Sequence, residues 1–447
     1  MDQDSLMKHS LPNTISGLLE QIACGEITTH EALCVQERQF RTRGEQLKCV
    51  TSFFNNDWAQ IGGAQRPMTG VAVAHKDIFD QPDRLPGLGR DHGQSQVGVI
   101  QARAPARLAA AGCADLGALA MAEDACAAVA MTRHVPTPIN PLGAQVAVGG
   151  SSSGSGVAVA AGMVYASLGT DTAGSVRMPA MTCGVMGLKT THGLISRQGV
   201  APLSVSLDSV GVLARSTRDL RLVLNEVCEP GALKTVPNEL RAAFWWPEHL
   251  IAQALHAPIQ TVMQAYAKTP IDIGRHEARA TQFMQVIMAR ETGCLHHERI
   301  ASAQACPEVA ELGTLGLALP QPWYLSALQA RAACLDAFLR DVFHQTDVLV
   351  VPLQTDVLPD CEQVYPGSPR FSSRTLLSLH RLCGWVNYLG LPALAMPVAY
   401  DARGLPISVQ IIGRPREELA LLRFAQRLEH EIHGSDGIAP SLVLEDL

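Results

Sequence analysis

Gly149-Gly150-Ser151-Ser152-Ser153-Gly154-Ser155-Gly156 and Gly169-Thr170-Asp171-Thr172-Ala173-Gly174-Ser175-Val176-Arg177 are the two stretches on which the reading of this chain turns. Both fall within Val146 to Ser216, a segment rich in glycine, serine, alanine and valine. Small residues let the backbone approach a ligand closely and expose its N–H groups. The first stretch has three readings. It can cradle a phosphate, although the lysine of a P-loop is missing. Gly150 to Gly154 also fits G-x-S-x-G, which would make Ser152 the serine of a nucleophile elbow. It can equally be a flexible serine-glycine loop. In the second stretch Ser175 follows two small residues, Ala173 and Gly174. Successive free N–H groups in such a turn can point at one oxygen atom, as an oxyanion hole requires.

A third feature lies upstream. Val71 to Ala74 is a short apolar run, and Lys76 follows it after His75. A lysine at the end of a buried strand loses hydration, which lowers its pKa and lets it serve as a base near neutral pH. Taken alone, a lysine after a strand is an ordinary solvated one.

Composition narrows the field. The 447 residues are 47% hydrophobic, 17% charged and 5% aromatic, which is globular and rich enough for a large core. At about 150 residues per domain the length allows three units or one large α/β domain. The formal net charge of −7 gives no basic footprint for nucleic acid. No run of about 18 apolar residues suggests a membrane span. The longest candidate, Val157 to Leu168, is interrupted by Gly162 and Ser167. The start, Met1 to Thr14, has no secretory pattern, so a cytoplasmic location is expected. Twelve scattered cysteines without a CxxC pair read as reduced, packed thiols. His296-His297-Glu298 lacks the i, i+4 spacing of helical metal ligands and reads as solvated surface.

Local patterns supply the architecture. Asn13 or Thr14 can cap a helix carrying Ile15, Leu18, Leu19 and Ile22, ended by Gly25. Thr28 and Glu31 form a capping-box pattern for a second helix. Ala104 to Gly112 is helical in character, and residues 230 to 340 are polar and helical. Val348 to Val351, Leu394 to Val398 and Ile407 to Ile412 read as strands, with Asp401 to Gly404 as a hairpin loop between the last two. Glu417 to His430 reads as a helix. Strands interleaved with helices argue for α/β class.

Taken together, Gly149 to Ser152, the run from Gly169 through Ala180, Gly187-Leu188-Lys189 and Lys76 resemble the amidase signature family of serine hydrolases. The 24-residue separation of Ser151 and Ser175 matches the family. So does the order of later motifs, from Asp347 to Pro352 through Gly390-Leu391-Pro392, Pro397-Val398 and Gly404-Leu405-Pro406 to Gln410 to Gly413. The resemblance implies a mixed central β-sheet covered by helices on both sides, in one amidase domain over 1–447. Its parts would be N-terminal helices to 65, the signature core over 66–230, a variable pocket segment over 231–340, and the rest of the sheet over 341–447.

It also implies roles. Ser175 matches the nucleophile, Ser151 the bridging serine in a cis peptide, and Lys76 the base. Thr172, Ala173, Gly174 and Ser175 would supply the oxyanion hole. Ser152, Asp171 and Arg177 would support the catalytic loops, and Asp208 would anchor a neighbouring loop. The expected reaction is hydrolysis of a linear amide of a small molecule, with no metal or organic cofactor, and a homodimer is common in the family.

Some positions depart from the pattern. Ala173 and Ser153 replace glycines, which brings the chain nearer the allophanate-hydrolase branch, whose extra C-terminal domain is not seen here. Lys189-Thr190-Thr191 replaces Lys-Pro-Thr, and His75 replaces a small apolar residue. Gly117 to Met121 lacks the family's Lys-Thr-Asn near the substrate channel. Met121, Gly149 and Gly150 are the expected substrate-binding positions. Two rivals remain. One is the glutaminase subunit of a tRNA-dependent amidotransferase, although residues 290 to 340 show no recognisable arginine-containing stretch for glutamine. The other is a non-catalytic binding protein of the same fold.

Overall fold

The computed structural model describes residues 11–55, 66–81, 84, 86–90, 101–130, 133–434 and 436–439. Eleven strands form one sheet: β1 (Val50–Phe53), β2 (Ala72–Lys76), β3 (Ala114–Leu119), β4 (Ala166–Asp171), β5 (Met186–Lys189), β6 (Ser209–Ala214), β7 (Ala242–Phe244), β8 (Thr269–Pro270), β9 (Val348–Pro352), β10 (Ala393–Tyr400) and β11 (Pro406–Gly413). Their order across the sheet is β1-β3-β2-β4-β6-β5-β10-β11-β9-β7-β8. β3, β2 and β4 are mutually parallel, the run from β4 to β9 is antiparallel, and β9, β7 and β8 are again parallel. The expected mixed α/β architecture is therefore present.

Helices surround this sheet. The first two are α1 (Ile15–Ala23), capped by Thr14, and α2 (Thr29–Gln46), which carries the Thr28–Glu31 capping box. Buried Gln36 of α2 bonds the Gly70 carbonyl and the Ala72 N–H, both at 2.9 Å, and so fixes the start of β2. Around the core lie α3 (Arg103–Ala110), α4 (Ser153–Ala160), α5 (Arg177–Cys183) and α6 (Thr217–Val227). Every residue of α4 is buried, as befits a helix of small and apolar residues running through an interior. Then come α7 (His256–Tyr266), α8 (Gly274–Ala301), α9 (Pro307–Ala318) and α10 (Gln321–Asp341). The short α11 (Cys361–Val364), α12 (Ser373–Ser378) and α13 (Gly384–Leu389) precede the amphipathic α14 (Glu418–His433).

The β10–β11 hairpin closes as the sequence suggests. Asp401 Oδ1 accepts the N–H groups of Arg403 and Leu405 at 2.8 and 2.9 Å. Three readings need correction. β1 is a strand inside the stretch expected to be helical, recruited by antiparallel pairing with β3. β7 and β8 lie in the segment expected to be helical and extend the sheet beyond β9. His296 is buried, at 8% exposure, because helical spacing puts it on the same inner face of α8 as Ala289, Thr292 and Gly293, while His297 and Glu298 are exposed. The Met1 to Ser10 part of the N-terminal reading lies outside the described residues.

α8 and α9 cross on glycines. A Cβ on Gly316 of α9 would lie 1.8 Å from the Ala289 carbonyl oxygen of α8, and one on Gly293 would lie 2.5 Å from Gly313 O. Alanine favours an isolated helix over glycine by about 1 kcal/mol. Here the clash, at 1.8 Å, is with backbone, which cannot rotate aside, so the cost belongs to the upper part of the overpacking range, about 2–3 kcal/mol. Gly316→Ala is accordingly expected to lose about 1–2 kcal/mol net in urea denaturation. An unchanged or higher midpoint would contradict this crossing.

Candidate active site

The three parallel strands β3, β2 and β4 end side by side, and the crevice beyond the C-terminal ends of such strands is where α/β sheets place ligands. Lys76 is the last residue of β2 and is 1% exposed. Its Nζ lies 2.7 Å from Ser151 Oγ and 2.8 Å from Thr170 Oγ1 of β4. Burial pushes the amine down to about 7, against the opposing pull of the Asp208 and Asp171 carboxylates. Successive strand residues face opposite ways. His75 accordingly leaves the site, accepts the Leu168 N–H at 3.1 Å and packs edge-on against Phe79. Burial lowers its pKa to about 3, so the ring is neutral.

Ser151 follows a cis peptide bond from Gly150. The chain is crowded here: a Cβ on Gly150 would lie 2.7 Å from Ala127 O and 2.8 Å from Val129 O. The Ser151 carbonyl accepts the Ala122 N–H at 3.1 Å, and the Ser152 N–H donates to the Ser175 carbonyl at 3.2 Å. The glycine-serine loop and the Ser175 turn are thus laid against each other. Ser152 Oγ, fully buried, donates to the Thr170 carbonyl at 3.3 Å. Its hydroxyl is thus engaged by the β4 backbone.

The second loop is built around a buried ion pair. Arg177 and Asp171 are both 0% exposed, and the guanidinium grips the carboxylate twice, through Nε at 3.0 Å and Nη2 at 2.9 Å. Burial alone would raise the Asp171 pKa, but Arg177, Lys189 and the Asn387 amide hold it well below the usual carboxylate range. Asp171 also accepts the N–H groups of Gly174 at 2.8 Å and Val176 at 3.2 Å, which shapes the turn. Gly174 sits at φ 121°, where a side chain would strain the backbone and collide with Cys383. Beyond the turn, Thr172 Oγ1 donates to Asp208 Oδ1 at 2.6 Å, and Asp208 Oδ2 accepts the Leu203 and Ser204 N–H groups. Asp208 therefore anchors the 203–208 loop, and burial raises its pKa to about 6.

The expected residues do not all fall as expected. Lys76 and Ser151 are in contact, whereas no hydrogen bond joins Ser151 Oγ to Ser175 Oγ among the described residues. Ser175 is 6% exposed, more than either partner. The Gly174 N–H is already bound to Asp171, which leaves Thr172, Ala173 and Ser175 from the four expected oxyanion donors. The three expected substrate-binding positions are interior. Met121 is fully buried, the Gly149 N–H donates to Thr182 Oγ1 and the Gly150 N–H to the Ala128 carbonyl.

Other residues emerge only in three dimensions. Thr170 shares Lys76 with Ser151. Asn387 of α13 donates to the Asp171 side chain and accepts from Arg177, and Gln410 of β11 accepts from Arg177 at 2.9 Å. Thr170 is visible within the second motif, five residues before Ser175. Asn387 and Gln410 lie over 200 residues from Arg177; Gln410 opens one of the later motifs, but nothing local announces Asn387 or the partner of either. Among the described residues no group of three or more His, Cys, Asp or Glu could hold a metal ion, and no helix is long and apolar enough to cross a membrane.

Known proteins resemble this chain over most of its length. The family model described as Amidase matches residues 47–283 and 310–422. A glutamyl-tRNA(Gln) amidotransferase subunit of Roseiflexus sp. (strain RS-1) is 29% identical, the match covering 92% of this chain and 94% of that one. AtzE, the 1-carboxybiuret hydrolase subunit of Pseudomonas sp. (strain ADP), is 31% identical, covering 81% and 84%. A solved structure, an inhibitor-bound vestigial protein complex described as revealing the origins of an s-triazine catabolic enzyme, superposes with a TM-score of 0.83. It is 26% identical and covers 94% of this chain and 98% of its own. The chain belongs to the amidase signature family. It is thereby an amidohydrolase, acting on carbon–nitrogen bonds.

Removing one member of a buried ion pair strands the other charge and costs about 3–5 kcal/mol. Arg177→Met, similar in length but uncharged, is expected to destabilise the fold by that amount in chemical denaturation at pH 7. The difference from wild type should shrink as pH falls below about 4, where Asp171 can protonate in the unfolded chain and in the variant. A variant as stable as wild type at neutral pH would contradict the bracing role.

Proposed function

We propose that this chain hydrolyses a linear amide of a small molecule through a Ser175 acyl-enzyme, with Lys76 as base and Ser151 as the bridging acid–base. The observation that carries the reading is the buried Lys76 amine, lowered to about 7 and 2.7 Å from Ser151 Oγ. At that separation the pair can share a proton either way. Neutral Lys76 takes the proton of Ser151 Oγ, and Ser151 takes that of Ser175. Ser175 Oγ then bonds to the amide carbon, and the carbonyl electrons move onto oxygen. The N–H groups of Thr172, Ala173 and Ser175 receive that oxyanion. The proton returns through Ser151 to the amide nitrogen, the carbon–nitrogen bond breaks, and ammonia or an amine leaves. Water attacks the acyl-enzyme by the same route and regenerates Ser175.

A second reading is favoured by the similarity to the Roseiflexus amidotransferase: hydrolysis of glutamine as part of a complex. Glutaminase activity of the isolated chain, or co-purification with partner proteins, separates the two. A fluorophosphonate probe separates both from a non-catalytic binder, which would stay unlabelled at Ser175.

Ser175→Ala is expected to lose turnover at least ~10³-fold with the fold unchanged, as when other serine hydrolases lose their nucleophile. Near-wild-type hydrolysis by the folded variant would sink the assignment.

The pH profile tests Lys76. The active form is the neutral amine, so the rate should fall on the acid side of pH about 7 and hold above it. Lys76→Ala is expected to lose most amide hydrolysis, since the leaving nitrogen no longer gains a proton. It should lose less against an activated ester, whose leaving group needs none. An unchanged acid limb in a hydrolytically active Lys76→Ala would rule out Lys76 as the base.

A further inference from the structure

Helix α8 touches both halves of the site. Near its middle, buried Glu291 accepts hydrogen bonds from Ser204 Oγ at 2.6 Å, Ser206 N at 2.9 Å, Ser206 Oγ, and Tyr324 Oη of α10 at 2.9 Å. Ser204 is also one of the two residues whose N–H groups hold Asp208, and Asp208 holds Thr172. Hydrogen bonds therefore run without a gap from Glu291 through the 203–206 loop and Asp208 to the turn that ends in Ser175.

Five residues further along, α8 departs from helical backbone at His296 (φ −111°, ψ 15°) and then presents Arg299. The Arg299 guanidinium binds Asp124 and, at 2.9 Å, Glu123, while Arg90 grips Asp124 from another side. Glu123 and Asp124 are both buried and adjacent, so their charges repel unless the arginines answer them. The turn they occupy is strained: Asp124 and Ala125 sit at φ 51° and 61°, a region that residues other than glycine rarely adopt. Immediately before it, Ala122 donates its N–H to the Ser151 carbonyl at 3.1 Å.

We propose that α8 is the positioning beam of the site. Glu291 holds the 172–175 turn through Ser204 and Asp208, and Arg299 holds Ser151 through the 122–125 turn. Both act through other residues and touch no reacting atom, and their effect on rate rests on the acyl-enzyme reading above. One helix thereby braces both loops from outside, adding to the Ser152 N–H to Ser175 carbonyl bond between them, and so sets the separation of the two serine hydroxyls, which no hydrogen bond among the described residues joins directly.

The test combines backbone hydrogen–deuterium exchange with amide-hydrolysis kinetics on the full chain. Glu291→Gln is expected to raise exchange in peptides covering 172–176 and 203–208. Arg299→Met is expected to raise it in peptides covering 121–126 and 150–153, and Arg299→Lys to restore most of that protection. Peptides from β9 to β11 should stay at wild-type exchange in all three. The kcat should fall about tenfold to hundredfold, as for sub-ångström to ångström misplacement, with KM within about threefold. If exchange at those loops and kcat both stay at wild-type values, the beam is overturned. A uniform rise across the chain overturns it too, since that is general destabilisation. If exchange rises as expected while wild type itself hydrolyses no amide, the positioning stands and the acyl-enzyme reading fails. Should Arg299→Met not fold, Glu291→Gln and Arg299→Lys are read on the same peptides by the same criteria.

Discussion

A lysine shut away from water must lose its charge or find partners that replace its hydration. Lys76 is held between two neutral hydroxyls, those of Ser151 and Thr170, with no carboxylate in contact among the described residues. Moving its pKa from 10.5 to about 7 corresponds to a cost on the order of 5 kcal/mol for the charged form. The sign of the linkage follows. Between those two values the unfolded chain binds more protons than the native one, so this site makes the fold more stable as pH rises through that window. Below it the penalty is complete, and above it the penalty is gone. The surrounding fold supplies the compensation, chiefly through a strand trio whose residues are almost entirely buried.

The nearest negative charges decide whether such a lysine stays neutral. Asp171 and Asp208 both pull its pKa upward. Asp171 is answered by Arg177 in a fully buried pair, and by Asn387 and the turn's own N–H groups. Asp208 is answered by Thr172 and two loop N–H groups. Each carboxylate that organises a loop is thus largely offset before its field reaches Lys76. Lys189 shows the same pattern at a second buried position. It donates to the Thr190 carbonyl at 2.6 Å, and burial lowers it to about 7 against the pull of Asp171.

The parts legible in the sequence are those whose physics is local. The caps at Thr14 and Thr28, the apolar runs that form β2, β9, β10 and β11, and the Asp401 turn depend on neighbours within a few residues. The small residues around Ser151 and Ser175 are legible too, because a backbone packed against backbone admits nothing larger. The rest depends on partners far along the chain. β1 is a strand because β3 offers an edge, and β7 because β9 does. The Gly174 N–H reads as open from spacing alone, yet Asp171 three residues earlier folds back to take it. Gly149 and Gly150 suggest ligand contact, but their close approaches are to Met178, Ala127 and Val129 of the protein itself. His296 reads as exposed because a polar pair hides the helical spacing that places it behind Ala289, Thr292 and Gly293 on the inner face of α8.

The division of labour in the sheet follows from these constraints. Lys76 comes from the end of β2, Ser175 from the turn after β4, and Ser151 from the loop that leads into α4, wholly buried against them. Such positions tolerate little change, since Gly150 and Gly154 have backbone atoms within 2.7 Å of where a side chain would begin. On the proposed reading, variation in substrate comes from elements outside this core. Residues 231 to 340 enter the sheet only through the short β7 and β8, and their helices pack on the core through apolar contacts such as Phe338 on Trp385 and Phe283 on Tyr388. A segment attached in this way can change its outer face without disturbing the strands. It cannot move freely, because Glu291 and Arg331, which donates to the Ser206 carbonyl at 2.7 Å, tie it to the 203–208 loop, and Arg299 ties it to the 122–125 turn. On the acyl-enzyme reading, these outer helices and the geometry of the Ser151 and Ser175 loops are therefore coupled through charged side chains, and a change in one has to be balanced in the other.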